Sequence, residues 1–265
     1  MIHDPLWQSM RETGRIAGHP VLFLETTDST NTVAMALAHQ GAANGTLVVA
    51  ECQSAGRGRL ARQWISPAGC GLYVSFILRP RLELADLPKA TLAAGVALCR
   101  AVIRITGITV QLKWPNDLLL QGKKCGGILT EATGIMGDGP VAVALGIGIN
   151  VKTPQAAFPE ELQGKATSLA TATSGHEYSR GSLLAAVVEE VEAVVRRMEK
   201  GEFAAILAEW RQHDGLADQR LTWVTPQQTL VTGVSLGPDA DGRLHIRDDH
   251  GVIHEVLSGD LTVKR

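Results

Sequence analysis

The spacing of apolar and polar positions differs between two parts of this chain. In the first part, short apolar runs bounded by Gly or Pro predict strands, and longer apolar stretches predict helices. The predicted strands cover residues 21–24, 47–50, 71–78, 109–113, 118–120, 126–131 and 141–151. The predicted helices cover residues 31–40, 87–107, 181–200 and 202–213, after an amphipathic lead-in over residues 1–20. Because strands, helices and hairpins are interspersed, we expect an α+β fold rather than a doubly wound sheet.

From residue 221 the pattern changes to short strands separated by tight turns. These predicted strands cover residues 222–224, 229–236, 243–248, 252–257 and 261–263. The segments Asp239-Ala240-Asp241-Gly242 and Asp248-Asp249-His250-Gly251 are hairpin-turn signals. Several short strands in so few residues are typical of a small β-barrel. We therefore predict a first domain over residues 1–216 and a second over residues 217–265.

Composition and charge narrow the choice of partners. The chain has 265 residues, of which 45% are hydrophobic and 20% charged, and its formal net charge is −2. A near-neutral protein has no electrostatic footprint for nucleic acid, so we expect no nucleic-acid partner. The sequence shows no signal peptide and no apolar run of the roughly 18 residues that a membrane span needs. We therefore expect a cytoplasmic protein without a membrane partner.

Several common kinds of site are disfavoured by the absence of their motifs. The sequence contains no Walker loop, no complete G-x-G-x-x-G fingerprint, and neither H-E-x-x-H nor G-x-S-x-G. Its eight histidines are dispersed. The four cysteines lack C-x-x-C spacing, which predicts reduced thiols rather than a zinc site or a disulfide framework: Cys52, Cys70, Cys99 and Cys125. Hydrolase and metalloenzyme interpretations are accordingly weak.

The loop of residues 53–64 concentrates positive charge and glycine directly after a predicted strand. It contains Gly56, Arg57, Gly58, Arg59, Arg62 and Trp64. Glycines allow close approach of the backbone to a ligand, and arginines supply forked donors for carboxylate or phosphate. The loop therefore predicts a site for a small anion, although a solvated basic loop has the same composition.

Four further polar or glycine-rich segments accompany this loop. They are Ser29-Thr30-Asn31, Lys113-Trp114-Pro115-Asn116-Asp117, Lys124-Cys125-Gly126-Gly127-Ile128-Leu129 and Gly146-Ile147-Gly148-Ile149-Asn150-Val151. Together with G-R-G-R-x-x-R-x-W over residues 56–64, their order and spacing resemble the biotin–protein ligase family over essentially the whole chain. The resemblance implies a mixed sheet of the class II aminoacyl-tRNA-synthetase type, followed by an SH3-like barrel.

The resemblance also implies a two-step, ATP-dependent reaction. The carboxylate of biotin attacks the α-phosphate of ATP to give biotinyl-5′-AMP and pyrophosphate. A lysine of a biotin carboxyl carrier domain then accepts the biotinyl group. Mg²⁺ is expected with the ATP phosphates, because both anions must be held together while charge develops on phosphorus. Biotin, ATP and the carrier domain are thus the expected partners, and some relatives form homodimers.

Site residues follow from the matching motif positions. The implied biotin-binding residues are Ser29, Thr30, Asn31, Gln53, Arg57, Gly58, Arg59, Lys124, Gly127 and Leu129. The implied ATP-binding residues are Arg59, Arg62, Trp64, Lys113, Asn116 and Asn150. Lys124 is the first candidate for the catalytic cation, together with Arg57 and Arg59. Asp117 is expected to face Mg²⁺ or the acceptor lysine.

Structural alternatives stand beside several of these assignments. Ser29 and Thr30 are also good helix N-caps. Trp64 and Trp114 are equally suited to a hydrophobic core, and Asp117 follows a Pro-Asn pair that is typical of a turn. Among functions, lipoate–protein ligase and a non-catalytic biotin or nucleotide sensor are the rivals.

Two departures from the family pattern matter. Ala61 occupies a position where the family usually has Gly, and alanine tolerates a positive φ poorly. Either the loop does not need that geometry here, or its closure is altered. In addition, only about 20 residues precede the first predicted strand, too few for the DNA-binding domain of family members that act as repressors. We therefore expect a monofunctional ligase.

Overall fold

The structure is a computed structural model that describes residues 4–80, 86–132, 142–225, 229–256 and 261–263. Its helices are α1 Pro5–Thr13, α2 Thr30–His39, α3 Leu87–Thr106, α4 Leu169–Ala172, α5 Arg180–Glu199 and α6 Phe203–Gln212. The strands of the first part are β1 Arg15–Ile16, β2 His19–Thr27, β3 Thr46–Gln53, β4 Gly71–Leu78, β5 Gln111–Lys113, β6 Asp117–Leu120, β7 Lys123–Ala132 and β8 Val143–Asn150. Those of the second part are β9 Arg220–Val224, β10 Leu230–Pro238, β11 Leu244–Asp248, β12 Ile253–Val256 and β13 Leu261–Val263.

The first eight strands form one mixed sheet in the order β1-β2-β3-β4-β8-β7-β6-β5. Only β2 and β3 pair in parallel, whereas the other neighbours are antiparallel. The predicted α+β class is confirmed. Residues 109–110, predicted as strand, precede β5 instead, and residue 141 lies outside the described residues.

The central strands are apolar because helices cover both faces of the sheet. β4 is buried over nearly its whole length and pairs with β8 from Gly71↔Asn150 to Leu78↔Val143. Helices α3 and α5 share one core cluster with the sheet, and α2 covers the other face through Ala34 and Ala38. Strands buried on both sides read as continuous apolar runs, as observed here. No described helix is long and apolar enough to cross a membrane.

The last five strands form a separate antiparallel sheet in the order β12-β11-β10-β9-β13. Its two predicted hairpin turns are confirmed. Asp239 accepts hydrogen bonds from the backbone N–H groups of residues 241 and 243, at 2.8 and 2.9 Å. Asp248 does the same for residues 250 and 252, at 2.9 Å each. These aspartates satisfy the exposed turn amides, which is the physical basis of the turn signal.

Polar side chains of the first part reach the second sheet. Lys113 Nζ donates to the carbonyl oxygen of Leu261 at 3.1 Å, and Trp114 Nε1 donates to that of Gly242 at 2.9 Å. Trp114 is buried, so the core interpretation describes it correctly. The two sheets also share one hydrophobic cluster. The K-W part of the K-W-P-N-D motif therefore fastens the two sheets together.

A largely shielded ion pair connects α1 and α5 to the large sheet. Arg180, at the start of α5, donates to both carboxylate oxygens of Glu51 on β3, at 2.6 and 3.0 Å. Trp7 Nε1 of α1 donates to the same carboxylate at 2.8 Å, and the Arg180 guanidinium lies 4.1 Å from the Trp7 ring centroid. Burial is the largest single influence and raises the pKa of Glu51, but the hydrogen bonds and charge of Arg180, together with the hydrogen bonds from Trp7 and the backbone of Gly69, hold this pKa below its ordinary value.

Asp214 lies where the chain passes from α6 to the second sheet. Its Oδ1 accepts from the backbone N–H of Leu216 at 2.9 Å. Burial raises the pKa of Asp214 to about 6, and the charge of Asp218 adds to the effect. The carboxylate is still mostly ionised at neutral pH, but its burial there costs folding free energy that the protonated form does not.

Asp214→Asn is expected to raise the unfolding free energy by about 1–3 kcal/mol at pH 8. Because the folded pKa exceeds the unfolded one, the carboxyl group costs nothing below about pH 4 and its full penalty above about pH 6. Asparagine keeps the acceptor for Leu216 and removes the charge. Urea unfolding at pH 4 and pH 8 measures the difference, with the exposed Glu161→Gln as control. An equal gain at both pH values would contradict the explanation.

Candidate active site

The loop of residues 53–66 folds back on itself at the end of β3. Backbone bridges pair Gln53 with Ser66 and Arg57 with Gln63. The N–H of Trp64 donates to the carbonyl oxygen of Gly56 at 2.8 Å. A Cβ atom at Gly56 would lie 2.5 Å from the Trp64 carbonyl oxygen, so only glycine permits this closure. The first glycine of the motif is thus explained by the shape of the loop itself.

Two consecutive non-glycine residues at the tip of this loop have left-handed backbones. The φ angles are 54° at Leu60 and 57° at Ala61, inside the short 3₁₀ turn Arg59–Ala61. The loop therefore adopts the geometry that the family's glycine would favour, with alanine in its place. Each such residue costs roughly 1–2 kcal/mol relative to ordinary backbone.

Ala61→Gly is expected to stabilise this loop conformation by about 1 kcal/mol, because glycine adopts φ near +60° without a steric penalty. Trypsin cleavage after the loop arginines should then slow about two- to fivefold, as a 1 kcal/mol shift implies. Ala55→Gly, in the same loop but with no positive φ, is the control and should not slow cleavage. Equal rates for wild type and Ala61→Gly would contradict the strain argument.

The folded loop forms most of a pocket of about 580 Å³. Its lining consists of residues 55–63, Leu129 and Glu131. Arg57, Arg59 and Arg62 are all part of this lining. The structure thus brings the three predicted arginines to one cavity. Positive charge exceeds negative charge among the lining residues, which suits an anionic ligand.

Trp64 closes the base of the loop against a pair of glycines. Gly127 of β7 and Gly148 of β8 are direct cross-strand partners. A Cβ atom at Gly148 would lie 2.6 Å from the indole ring, and one at Gly127 would lie 3.3 Å from it. The Trp64 Nε1 atom is buried and has no hydrogen-bond partner among the described residues. The glycines of two motifs therefore make room for the tryptophan of a third.

Lys124 and Arg59 approach the same region from different elements. Lys124 Nζ lies 2.5 Å from Asp117 Oδ1 and 5.5 Å from the Trp64 ring centroid. Burial lowers the pKa of the Arg59 guanidinium, Asp117 opposes this effect, and Arg62 adds repulsion. Arginine nevertheless stays charged. An anion would relieve the repulsion between these cations. Lys124 and Gly127 lie next to Trp64, and neither they nor Asp117 are part of the lining of the 580 Å³ pocket.

The predicted biotin contacts at the start of α2 belong to a chain of hydrogen bonds. Thr30 donates to Gln53 Oε1 from its backbone N–H at 2.8 Å, and Gln53 Nε2 donates to Ser66 Oγ at 2.8 Å. Ser75 Oγ, fully buried on β4, lies 2.8 Å from Thr30 Oγ1 and donates to Asn31 Oδ1 at 2.6 Å. Ser29 is the N-cap residue of α2, but its hydroxyl makes no cap hydrogen bond.

This network of hydrogen bonds continues through Glu131, a residue that the sequence patterns did not single out. Asn31 Nδ2 donates to Glu131 Oε2 at 2.9 Å and to the Leu129 carbonyl oxygen at 3.2 Å. Arg57 Nη2 donates to Glu131 Oε1 at 2.7 Å. Glu131 lies two positions after the end of the K-x-G-G-I-L segment, outside the motif. Its role becomes visible only from the residues that it contacts in the folded structure. Both the amide nitrogen and the amide oxygen of Asn31 thus make hydrogen bonds within the protein.

The predicted ATP contacts are spread more widely. Asn116 Nδ2 donates to the Ile128 carbonyl oxygen at 2.7 Å, and Lys113 is engaged with the second sheet. Asn150 Nδ2 donates to the Thr167 carbonyl oxygen at 3.1 Å, while its Oδ1 is buried without a partner among the described residues. A buried unpaired oxygen is costly, so Asn150 Oδ1 is a candidate acceptor for a ligand or water.

Comparison with known proteins agrees with these features. A family model described as the biotin/lipoate A/B protein ligase family matches residues 23–150. The bifunctional ligase/repressor BirA of Bacillus subtilis (strain 168) is 36% identical over 246 residues, covering 93% of this chain and 74% of that protein. The biotin–[acetyl-CoA-carboxylase] ligase of Mycobacterium tuberculosis is 32% identical over 244 residues, covering 89% and 85%.

A solved structure gives the same result along nearly the whole chain. The biotin protein ligase from Aquifex aeolicus in complex with biotin and ATP has a TM-score of 0.78 and 30% identity, covering 92% of this chain and 98% of that one. The structural similarity thus extends over most of the chain. This chain belongs to the biotin–protein ligase family.

Proposed function

We propose that this protein uses ATP to convert biotin to biotinyl-5′-AMP and then transfers the biotinyl group to a lysine of a carboxyl carrier domain. The main support is the arginine-lined pocket of about 580 Å³ beside Lys124 and Trp64. The Aquifex aeolicus relative has biotin and ATP bound, and the Mycobacterium tuberculosis relative is a biotin–[acetyl-CoA-carboxylase] ligase. A cation-rich pocket suits a reaction between two anions.

We propose that the ring of biotin binds at the α2 end of the site. Ser29, Thr30 and Gln53 would offer hydroxyl and amide groups to its ureido group, which needs both donors and acceptors. The N-cap hydroxyl of Ser29, which makes no cap hydrogen bond, supports this position most directly. Gly58, Gly127 and Leu129 would form the walls along the aliphatic tail.

We propose that Arg57, Arg59 and Lys124 hold the carboxylate and the α-phosphate in reacting position. Arg62 would then contact the outer phosphates, and Trp64 would pack near the adenine. Asn116, Asn150 and Lys113 are proposed nucleotide contacts, and the unpaired Oδ1 of Asn150 supports this role most directly. The carboxylate attacks phosphorus as the pyrophosphate leaves, so no proton needs to move in this step.

Mg²⁺ fits the site as an ion that ATP brings with it. Asp117 and Glu131 are the nearby carboxylates, and each already pairs with a cation, at 2.5 Å to Lys124 and 2.7 Å to Arg57. Bound to the phosphates, the ion would neutralise part of their charge. The second oxygen of Asp117 is the protein group that we propose to face it, or to face the acceptor lysine.

We also propose the finer architecture that the resemblance implies. The large sheet would be of the class II aminoacyl-tRNA-synthetase type, and the second sheet an SH3-like barrel with a boundary at residues 216/217. The start of β9 at Arg220 supports this boundary. A cytoplasmic location and a homodimer through a sheet edge belong to the same proposal, and sedimentation velocity tests the dimer.

Pyrophosphate release on mixing the protein with biotin and MgATP tests the proposed function. We expect release with biotin, and transfer of biotin to a carrier domain on its addition. Lipoate, added as a competitor, should leave the rate unchanged, whereas faster release with lipoate than with biotin would favour a lipoate ligase. No release with either acid would favour a non-catalytic sensor and contradict the proposal.

A further inference from the structure

We propose that Glu131 is a positioning residue that orients Arg57 toward the carboxylate of the acid substrate. This inference rests on the proposed function, because it assumes that Arg57 binds that carboxylate. Glu131 lines the same pocket as Arg57 and comes from β7, in the body of the sheet. It would act on the ligand only through Arg57.

The two oxygens of Glu131 have different partners. Oε2 accepts from Asn31 at 2.9 Å, inside the protein, and Oε1 accepts from Arg57 at 2.7 Å, at the pocket. Arg57 makes this contact through Nη2 alone, while its side chain is 48% exposed against 24% for Glu131. The remaining guanidinium donors are therefore available to a ligand carboxylate, whose geometry matches a forked donor.

Glu131 is itself held by a buried support. Asn31 donates to it and also to the Leu129 carbonyl oxygen, and the fully buried Ser75 donates to Asn31 at 2.6 Å. A Cβ atom at Gly146 would lie 2.2 Å from Asn31 Oδ1, so this glycine leaves the space that Asn31 needs. A rigid anchor at one end of Arg57 reduces the conformational freedom that the arginine loses when it binds a ligand.

Glutamine at this position cannot replace the carboxylate. Its amide has one acceptor oxygen, whereas Arg57 Nη2 and Asn31 Nδ2 are both donors that point at residue 131. Glu131→Gln therefore loses one of the two bonds while keeping the size of the side chain. If Arg57 loses its anchor, only ligands with a carboxylate should bind more weakly.

The test compares the dissociation constants of biotin and biotinol, in which a primary alcohol replaces the carboxylic acid, by calorimetry. For Glu131→Gln we expect biotin to bind about tenfold more weakly and biotinol to bind within about twofold of wild type, from loss of one charge-assisted contact. In an Arg57→Ala background, Glu131→Gln should then have no further effect on biotin. Glu255→Gln, which alters a distant exposed pair with Arg243, is the matched control.

The outcomes separate this inference from the proposed function. If wild type neither binds biotin nor releases pyrophosphate, the proposed function fails first. If wild type is active but Glu131→Gln weakens biotin and biotinol equally, or weakens neither, the positioning role is wrong. Should that variant not fold, Glu131→Asp provides the same comparison, because it keeps the charge but shortens the reach to Arg57.

Discussion

Lys124→Met is expected to slow pyrophosphate release by about 10²–10³-fold at saturating biotin and MgATP, with a much smaller loss of biotin affinity. Lys124 Nζ, on β7, is held 2.5 Å from Asp117 of β6 and 5.5 Å from the ring centroid of Trp64, which belongs to the loop of residues 53–64, the arginine loop. A charge fixed in this way stabilises the negative charge that develops on the phosphoryl oxygens. Methionine keeps much of the length and apolar character of the side chain but removes the charge.

The neighbouring lysine provides the control for this prediction. Lys123 is exposed at the start of β7, so Lys123→Met should change the rate less than about twofold. Single-turnover pyrophosphate release and calorimetric biotin binding are the two measurements. Equal losses of rate and of affinity in Lys124→Met would show that Lys124 binds the ground state rather than the transition state.

Glu51→Ala is expected to lower the unfolding free energy by about 3–5 kcal/mol, the largest stability effect that we predict. The substitution leaves Arg180, whose side chain is only 15% exposed, without its counter-ion and also removes the acceptor of Trp7 Nε1. Since the Glu51 pKa lies below its ordinary value of 4.5, the ion pair stabilises the fold above that pH. Its contribution is lost as the pH falls through the lowered pKa. Urea unfolding at pH 7 measures the effect.

An exposed ion pair offers the contrast. Asp249 pairs with Arg220 on the solvent-exposed surface of the second sheet, and Asp249→Ala should lower the unfolding free energy far less than Glu51→Ala does. The difference in unfolding free energy between wild type and Glu51→Ala should also shrink as the pH falls below 4.5 and through the lowered pKa of Glu51. A small effect of Glu51→Ala at pH 7, similar to that of Asp249→Ala, would contradict the role of the shielded pair.

The elements that could be predicted from sequence are those with strong local signals. β4 matches its predicted bounds, because Gly71 and Pro80 flank a continuous apolar run. Helix α3 ends where predicted, since Gly107 adopts the left-handed conformation that terminates a helix. The two-residue β1 and the four-residue α4 were not predicted, because neither is long enough to show a periodicity.

The residues of the site likewise fall into those that the sequence predicts and those that it does not. The arginine loop, the glycine pair and Lys124 are motif residues, and the structure brings them around one region. Glu131 and Ser75 were missed because their partners are distant in sequence: Asn31 is 100 residues from Glu131 and 44 from Ser75. The sequence around a polar residue in a strand does not reveal whether its side chain holds a site residue in place or makes a hydrogen bond unrelated to the site.

The position of Trp64 against the Gly127–Gly148 pair also makes its fluorescence a probe of the site. Of the five tryptophans, the other four are buried, and Trp64 alone belongs to the arginine loop. Its indole also has the charged Lys124 nearby, and its ring nitrogen has no hydrogen-bond partner among the residues that the structure describes. Any ligand that moves this loop or pairs with Lys124 should therefore change the intrinsic fluorescence mainly through one residue. An undiminished signal in Trp64→Phe would assign that change to another tryptophan.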